Sequence, residues 1–196
     1  MANLWKKATA SLLTAALLSG GAPGLSASAG APVVSEAVSA SALAKDTAET
    51  AGEISVSRKG SLLLISGKGA LTAATLKDTD FSEITEVQVK AGITAIGSGA
   101  FLDQKTIKKV SLPDSVLTIE TNAFRGCETL EEIQFGSALK TIGSFAFYRC
   151  KSLASLALPD SVKTLETGAF QECTALKNAA LGNGVKKLPI QLFRGC

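Results

Sequence analysis

Histidine is absent from these 196 residues, which removes the commonest general base and metal ligand. A serine or cysteine hydrolase on the usual triad plan is excluded with it. Tryptophan, tyrosine and methionine occur once each, so the aromatic and thioether anchors that mark strong interfaces are scarce. Apart from the first segment, no apolar run approaches the ~18 residues a membrane helix needs. Charge of one sign is also lacking. Lys6 and Lys7 fall in a segment expected to be removed, and without them the remaining basic residues balance 17 acidic ones to within one charge. That balance predicts no nucleic-acid partner and no acidic membrane surface.

Residues 1–29 have the three parts of a secretory signal peptide: Lys6-Lys7, an apolar run from Ala8 to Leu18, and small residues at Ala27-Ser28-Ala29. As a helix the apolar run would extend roughly 17 Å, too short for a hydrocarbon core of about 30 Å. Cleavage before Gly30 is therefore expected, with export and a secreted or cell-surface destination. Residues 30–52 are largely Ala, Ser, Val and Thr. They cannot bury enough surface to offset their ordering entropy and read as a flexible spacer.

Period-2 runs then begin. Ile54-Ser55-Val56 and Leu62-Leu63-Leu64-Ile65 flank Arg58-Lys59-Gly60-Ser61, a hairpin composition. Residues 53–81 are expected to form an N-terminal β-hairpin cap. Gly67-Lys68 is not a phosphate loop, because Leu62 and Gly69 stand where glycine and Ser or Thr are required.

From residue 82 to 196 one figure recurs every 23 residues. Phenylalanine stands at Phe101, Phe124, Phe147, Phe170 and Phe193, and cysteine at Cys127, Cys150, Cys173 and Cys196. Alanine precedes four of the phenylalanines and Leu192 the fifth. Such a period marks a solenoid, here of about five coils with the last incomplete. Val87-Gln88-Val89, Val110-Ser111-Leu112, Ile133-Gln134-Phe135 and Leu156-Ala157-Leu158 alternate as short strands with one buried face. Turns such as Pro113-Asp114-Ser115 and Gly182-Asn183-Gly184 follow them. The expected fold is mainly β: one parallel sheet with turns or single helical turns at the corners. Phe and Cys should stack on their equivalents about 4.8 Å away, with Tyr148 and Arg149 left outside. Alanine before each Phe implies a tight corner, a reading that Leu192 tests.

The run from Cys150 through Leu153, Leu156, Leu158-Pro159-Asp160-Ser161-Val162 to Ala169-Phe170 resembles the short leucine-rich repeat of bacterial surface proteins called BspA-like. Gly60 to Leu71 resembles the segment that often opens such arrays. The resemblance spans residues 53 to 196 and implies a leucine-rich-repeat solenoid. For some relatives it implies attachment to host or neighbouring-cell proteins. This chain departs from the pattern at Gln104, which takes the first cysteine position, at Glu120, Glu166 and Pro189, and at Leu192.

Four cysteines in an exported chain suggest disulfides, but laddered side chains run parallel and a bridge needs them to converge. Four sulfurs in a row would extend over about 14 Å, too far for tetrahedral zinc with ligands at about 2.3 Å. Buried thiols used as small apolar residues are favoured, and neither metal nor cofactor is expected. Carboxylates such as Asp114, Asp160, Glu120 and Glu166 read as solvated turn residues rather than catalytic acids. The outward strand positions Glu86, Gln88, Lys109, Ser111, Glu132, Gln134, Ser155, Ala157, Asn178 and Ala180 form the expected ligand-binding face. The expected function is a non-catalytic protein-interaction or adhesion module, its partner a protein of the host matrix or a neighbouring cell surface. A surface spacer without a ligand is the alternative. The chain stops at Cys196, where another strand is due and no polar cap follows, so a truncated product or fragment is also expected.

Overall fold

The computed structural model describes residues 53–196; the signal and spacer readings, over 1–29 and 30–52, lie outside the described residues. The hairpin forms at its turn residues. β1 (Ser55–Lys59) and β2 (Leu62–Ser66) pair antiparallel across Gly60-Ser61, with Gly60 at φ 61°. β3 (Gly69–Leu71) leads into the single turn α1 (Ala73–Leu76), capped where the Thr75 N–H donates to the Thr72 hydroxyl at 3.3 Å.

Each coil then contributes two strands, not one. The first column is β4 (Glu86–Val89), β6 (Lys109–Ser111), β8 (Glu132–Gln134), β10 (Ser155–Ala157) and β12 (Asn178–Ala180). The second is β5 (Ile93–Ile96), β7 (Thr118–Ile119), β9 (Thr141–Ile142) and β11 (Thr164–Leu165). β2 carries the first column onward from the hairpin and β3 begins the second. Within the coils the pairing is parallel and in phase: Val87 faces Val110 and Val110 faces Ile133, while Ile119 faces Ile142 and Ile142 faces Leu165. The expectation of one sheet is corrected in two respects. Two-residue strands cannot show alternation, which hid the second column. The first column is also interrupted, since β8 and β10 are not hydrogen-bonded neighbours and β10 pairs only with β12.

The corners form a third bonded column. The N–H groups of Phe101, Phe124 and Phe147 each donate to the carbonyl of the alanine one coil on, Ala123, Ala146 and Ala169, at 2.8 Å. Their rings stack with centroids 5.0, 5.2 and 5.2 Å apart from Phe101 to Phe170, planes within 6° of parallel. Phe81 closes the stack at its start, edge-on to Phe101 at 6.1 Å. Leu192 answers the test of the tight corner. It is buried, and the stack beside it opens to 5.8 Å with a 19° tilt between Phe170 and Phe193, while the Phe170 N–H to Leu192 carbonyl distance grows to 3.1 Å.

The cysteines do more than fill space. Each thiol donates to the carbonyl of the phenylalanine one coil earlier: Cys127 to Phe101 at 3.1 Å, Cys150 to Phe124 at 3.3 Å, Cys173 to Phe147 at 3.2 Å and Cys196 to Phe170 at 3.0 Å. All four are free thiols. Cys127, Cys150 and Cys173 are buried, whereas Cys196 is exposed, which corrects the reading of four buried thiols. Burial pushes the Cys127 and Cys173 thiols up to about 12 and that of Cys150 well above its ordinary value.

Phe147→Ala is expected to cost about 3–5 kcal/mol in denaturant unfolding, as a core truncation in a stack that rests on both neighbours; a loss under about 1 kcal/mol would contradict the stacking account. Folded Cys127 and Cys173 ionise near 12, against 9.0 for an unperturbed thiol. Their preference for the neutral form therefore supports the native state fully below pH 9.0 and fades as the pH rises through about 12. Native alkylation at pH 8 should mark Cys196 alone, with Cys127, Cys150 and Cys173 reacting only in denaturant. Equal labelling of all four would show that the interior thiols are accessible.

Candidate functional site

The expected strand face divides at the interruption in the first column. On β4, β6 and β8, Glu86, Lys109 and Glu132 align across the strands, and so do Gln88, Ser111 and Gln134. Lys109 Nζ lies 3.4 Å from Glu132 Oε2, and Gln134 Nε2 donates to Glu132 Oε1 at 3.0 Å. These two contacts, the amide first, hold the Glu132 carboxyl below its usual range. Glu86, Lys109, Ser111, Glu132 and Gln134 line a shallow hollow of about 190 Å³. Ser155, Ala157, Asn178 and Ala180 are exposed on the separate β10–β12 pair. The structure thus groups the charged half of the face and sets the small-residue half on another sheet. As exposed ion pairs, Lys109–Glu132 and its neighbour Lys108–Glu131 at 3.5 Å add little stability.

Glu120 and Glu166 are not idle turn residues. Glu120 Oε2 accepts from the Ser98 N–H at 2.9 Å and from its hydroxyl at 3.3 Å; Glu166 Oε2 takes both Ser144 donors at 2.9 Å. Each carboxylate caps the corner of the coil before it. Asp114 and Asp160 likewise accept the N–H of Ser137 and Asn183, at 2.6 and 2.7 Å, in the coil after. These groups are structural bolts, and among the described residues no three His, Cys, Asp or Glu side chains converge to hold a metal.

A second cluster lies on the corners. Every coil turns through two left-handed positions, one two residues before its phenylalanine and one two residues after. Gly99, Asn122, Phe145, Gly168 and Gln191 occupy the first, and Asp103, Gly126, Arg149, Glu172 and Gly195 the second. Glycine and asparagine suit such positions. Phe145 at φ 55°, Arg149 at 61°, Glu172 at 59° and Gln191 at 60° do not, and each costs about 1–2 kcal/mol in backbone strain. Phe145 and Arg149 are in the coil that carries the only tyrosine, Tyr148.

Tyr148 is half-buried rather than left outside. The Arg125 and Arg149 guanidinium carbons lie 5.2 and 5.1 Å from its ring centroid, and Phe145 meets it edge-on at 5.9 Å. Arg149 Nε donates to Glu172 Oε2 at 2.9 Å, lowering the pKa of that carboxyl and raising the arginine's. Arg125 forms no ion pair among the described residues. Arg125, Phe145, Tyr148, Gln171 and Gln191 line a hollow of about 280 Å³. Gln171 Oε1 is buried and meets no donor among the described residues. The sequence signal for this cluster was an aromatic residue at 145, where other coils carry glycine, asparagine or glutamine.

A model of the BspA type leucine rich repeat region matches residues 78–196 in six copies. No curated protein matches the chain. Among solved structures, a leucine rich repeat protein of T. pallidum is 25% identical over 78% of this chain and 68% of its own, with a TM-score of 0.59. A leucine-rich repeat protein from Bacteroides ovatus is 22% identical, covering 78% of this chain and 45% of its own, TM-score 0.59. The pneumococcal vaccine antigen PcpA is 23% identical over 70% of this chain and 36% of its own, TM-score 0.52. This chain thus spans less than half the length of the latter two, and the likeness to them is one of fold. With two short strands per coil, a phenylalanine–cysteine ladder in phase and the matched region covering more than half its length, the chain belongs to the BspA type leucine-rich-repeat family.

Proposed function

We propose that this chain is a non-catalytic protein-interaction module of an exported bacterial protein, serving adhesion at the cell surface. Its partner would be a protein of the host matrix or of a neighbouring cell. The observation that carries this reading is the in-phase alignment of Glu86, Lys109 and Glu132, and of Gln88, Ser111 and Gln134, on β4, β6 and β8. A rigid stack presents these side chains in fixed columns, so a partner meets them with little left to order, and pre-organisation of that kind raises affinity. Family membership supports the same reading, and the composition of residues 1–29 supports export.

Binding of the chain lacking residues 1–29 to matrix proteins and whole cells tests this. Replacing Glu132, Gln134 and Ser155 together by alanine should weaken binding at least about fivefold, the effect of losing one energetically significant interface contact. Undetectable binding, or binding indifferent to the triple variant, would instead favour a surface spacer, for which the mutual pairing of Lys109 and Glu132 already suffices.

A further inference from the structure

We propose that the corner hollow between Arg125, Phe145, Tyr148, Gln171 and Gln191 is a second binding site, taking an acidic sugar residue of a glycan. The stacking of the coils does not ask for Phe145. The same left-handed position is filled by Gly99, Asn122, Gly168 and Gln191 in other coils, none of them aromatic, and the Phe145 ring is only half-buried. Gly168 in the next coil makes room for that ring, since a Cβ there would lie 2.5 Å from one of its carbons. A residue that opposes the backbone rule, is accommodated by its neighbour and stays at the surface is a mark of function rather than packing.

The chemistry of the hollow selects the ligand. The half-buried Phe145 ring, edge-on to Tyr148, offers apolar surface to the C–H face of a pyranose, while the Tyr148 ring holds the guanidinium groups. Arg125 stacks on Tyr148 and forms no ion pair among the described residues, which leaves its planar fork for a carboxylate. Arg149 is already paired with Glu172. The Gln171 and Gln191 side chains also line the hollow, and an exposed amide there pairs with a sugar hydroxyl. A neutral sugar would leave Arg125 unpaired. A bare anion would leave the Phe145 ring and the side-chain amides unused, whereas a uronic-acid unit engages these and Arg125. At about 280 Å³ the hollow lies just below the ~300–1,000 Å³ of drug-sized pockets, a size suited to one ring.

Saturation-transfer NMR on the full chain, with methyl glucuronide and methyl glucoside as probes, tests the proposal. The glucuronide should receive transfer from the Phe145 ring and bind about tenfold tighter than the glucoside, the scale of one charge-assisted hydrogen-bonded pair. Arg125→Gln should erase that preference. Phe145→Gly should abolish binding while leaving the melting temperature unchanged or higher, because it relieves the left-handed strain. The melting temperature of the same variant separates a loss of binding from unfolding. No transfer to either sugar, binding untouched by Arg125→Gln and Phe145→Gly, or capture of an acidic peptide with no sugar signal would overturn the proposal. The site shares no residue with the strand face, so either can fail without the other.

Discussion

Every coil must sit one strand-ladder spacing, about 4.8 Å, from the next, and the phenylalanine stack fits that distance. Centroids 5.0 to 5.2 Å apart and nearly parallel planes leave the backbones close enough to bond in three columns. The carbonyl of each stacked phenylalanine is where these demands meet. Phe124 O accepts the N–H of Cys127 in its own coil at 3.2 Å and the thiol of Cys150 in the next at 3.3 Å. A cysteine at that position is therefore small enough for the ladder and also supplies a donor, which alanine would not. Where Leu192 replaces alanine the stack loosens, so the bonding column and the ring column respond together.

On this 23-residue unit lies an alternation over two coils. Glu120 and Glu166 cap Ser98 and Ser144, while the coils between carry Gly97 and Gly143 at the equivalent position. Pro113-Asp114 and Pro159-Asp160 alternate with Gly136-Ser137 and Gly182-Asn183. The reason is steric as well as polar. A Cβ on Gly136 would collide with the Pro113 carbonyl, and one on Gly143 would lie 2.7 Å from the Thr121 nitrogen. One coil offers the carboxylate and the next a bare backbone that can approach it. The break between β8 and β10 falls where Phe135 stands in place of Leu112 and Leu158. Its ring meets Phe147 edge-on at 6.0 Å.

The sequence made legible whatever depends on residue type repeating at one position: the phenylalanine and cysteine ladders, the hairpin at Gly60-Ser61, the inward leucines and valines. What it hid depends on backbone shape. The left-handed positions hold Gly99, Asn122, Phe145, Gly168 and Gln191, five residues with four different side chains, so no residue pattern announces the φ they share. The second strand column was lost for a related reason, since Thr118–Ile119 and Thr141–Ile142 are too short to alternate. Tyr148 was misplaced because its setting is made by Arg125 one coil away and Phe145 three residues back. No motif records that meeting.

The outward faces differ in what they cost the fold, and that difference bears on where recognition lies. On the strand face, Lys109 and Glu132 satisfy each other, and exchanging them for other polar residues would scarcely change the stability of the stack. On the corner, Phe145 and Arg149 are held against the backbone preference of their positions, while Arg125 and Gln171 Oε1 are left without a charge partner and a donor among the described residues. The ladder beneath is indifferent to both faces, because Phe147 and Cys150 bury themselves whatever lies above. A fold of this kind can carry local strain in one coil without loss of register. The coil that holds the only tyrosine is the one with an aromatic side chain at the first left-handed position, and a ligand that uses the exposed Phe145 ring and the Arg125 guanidinium would account for it.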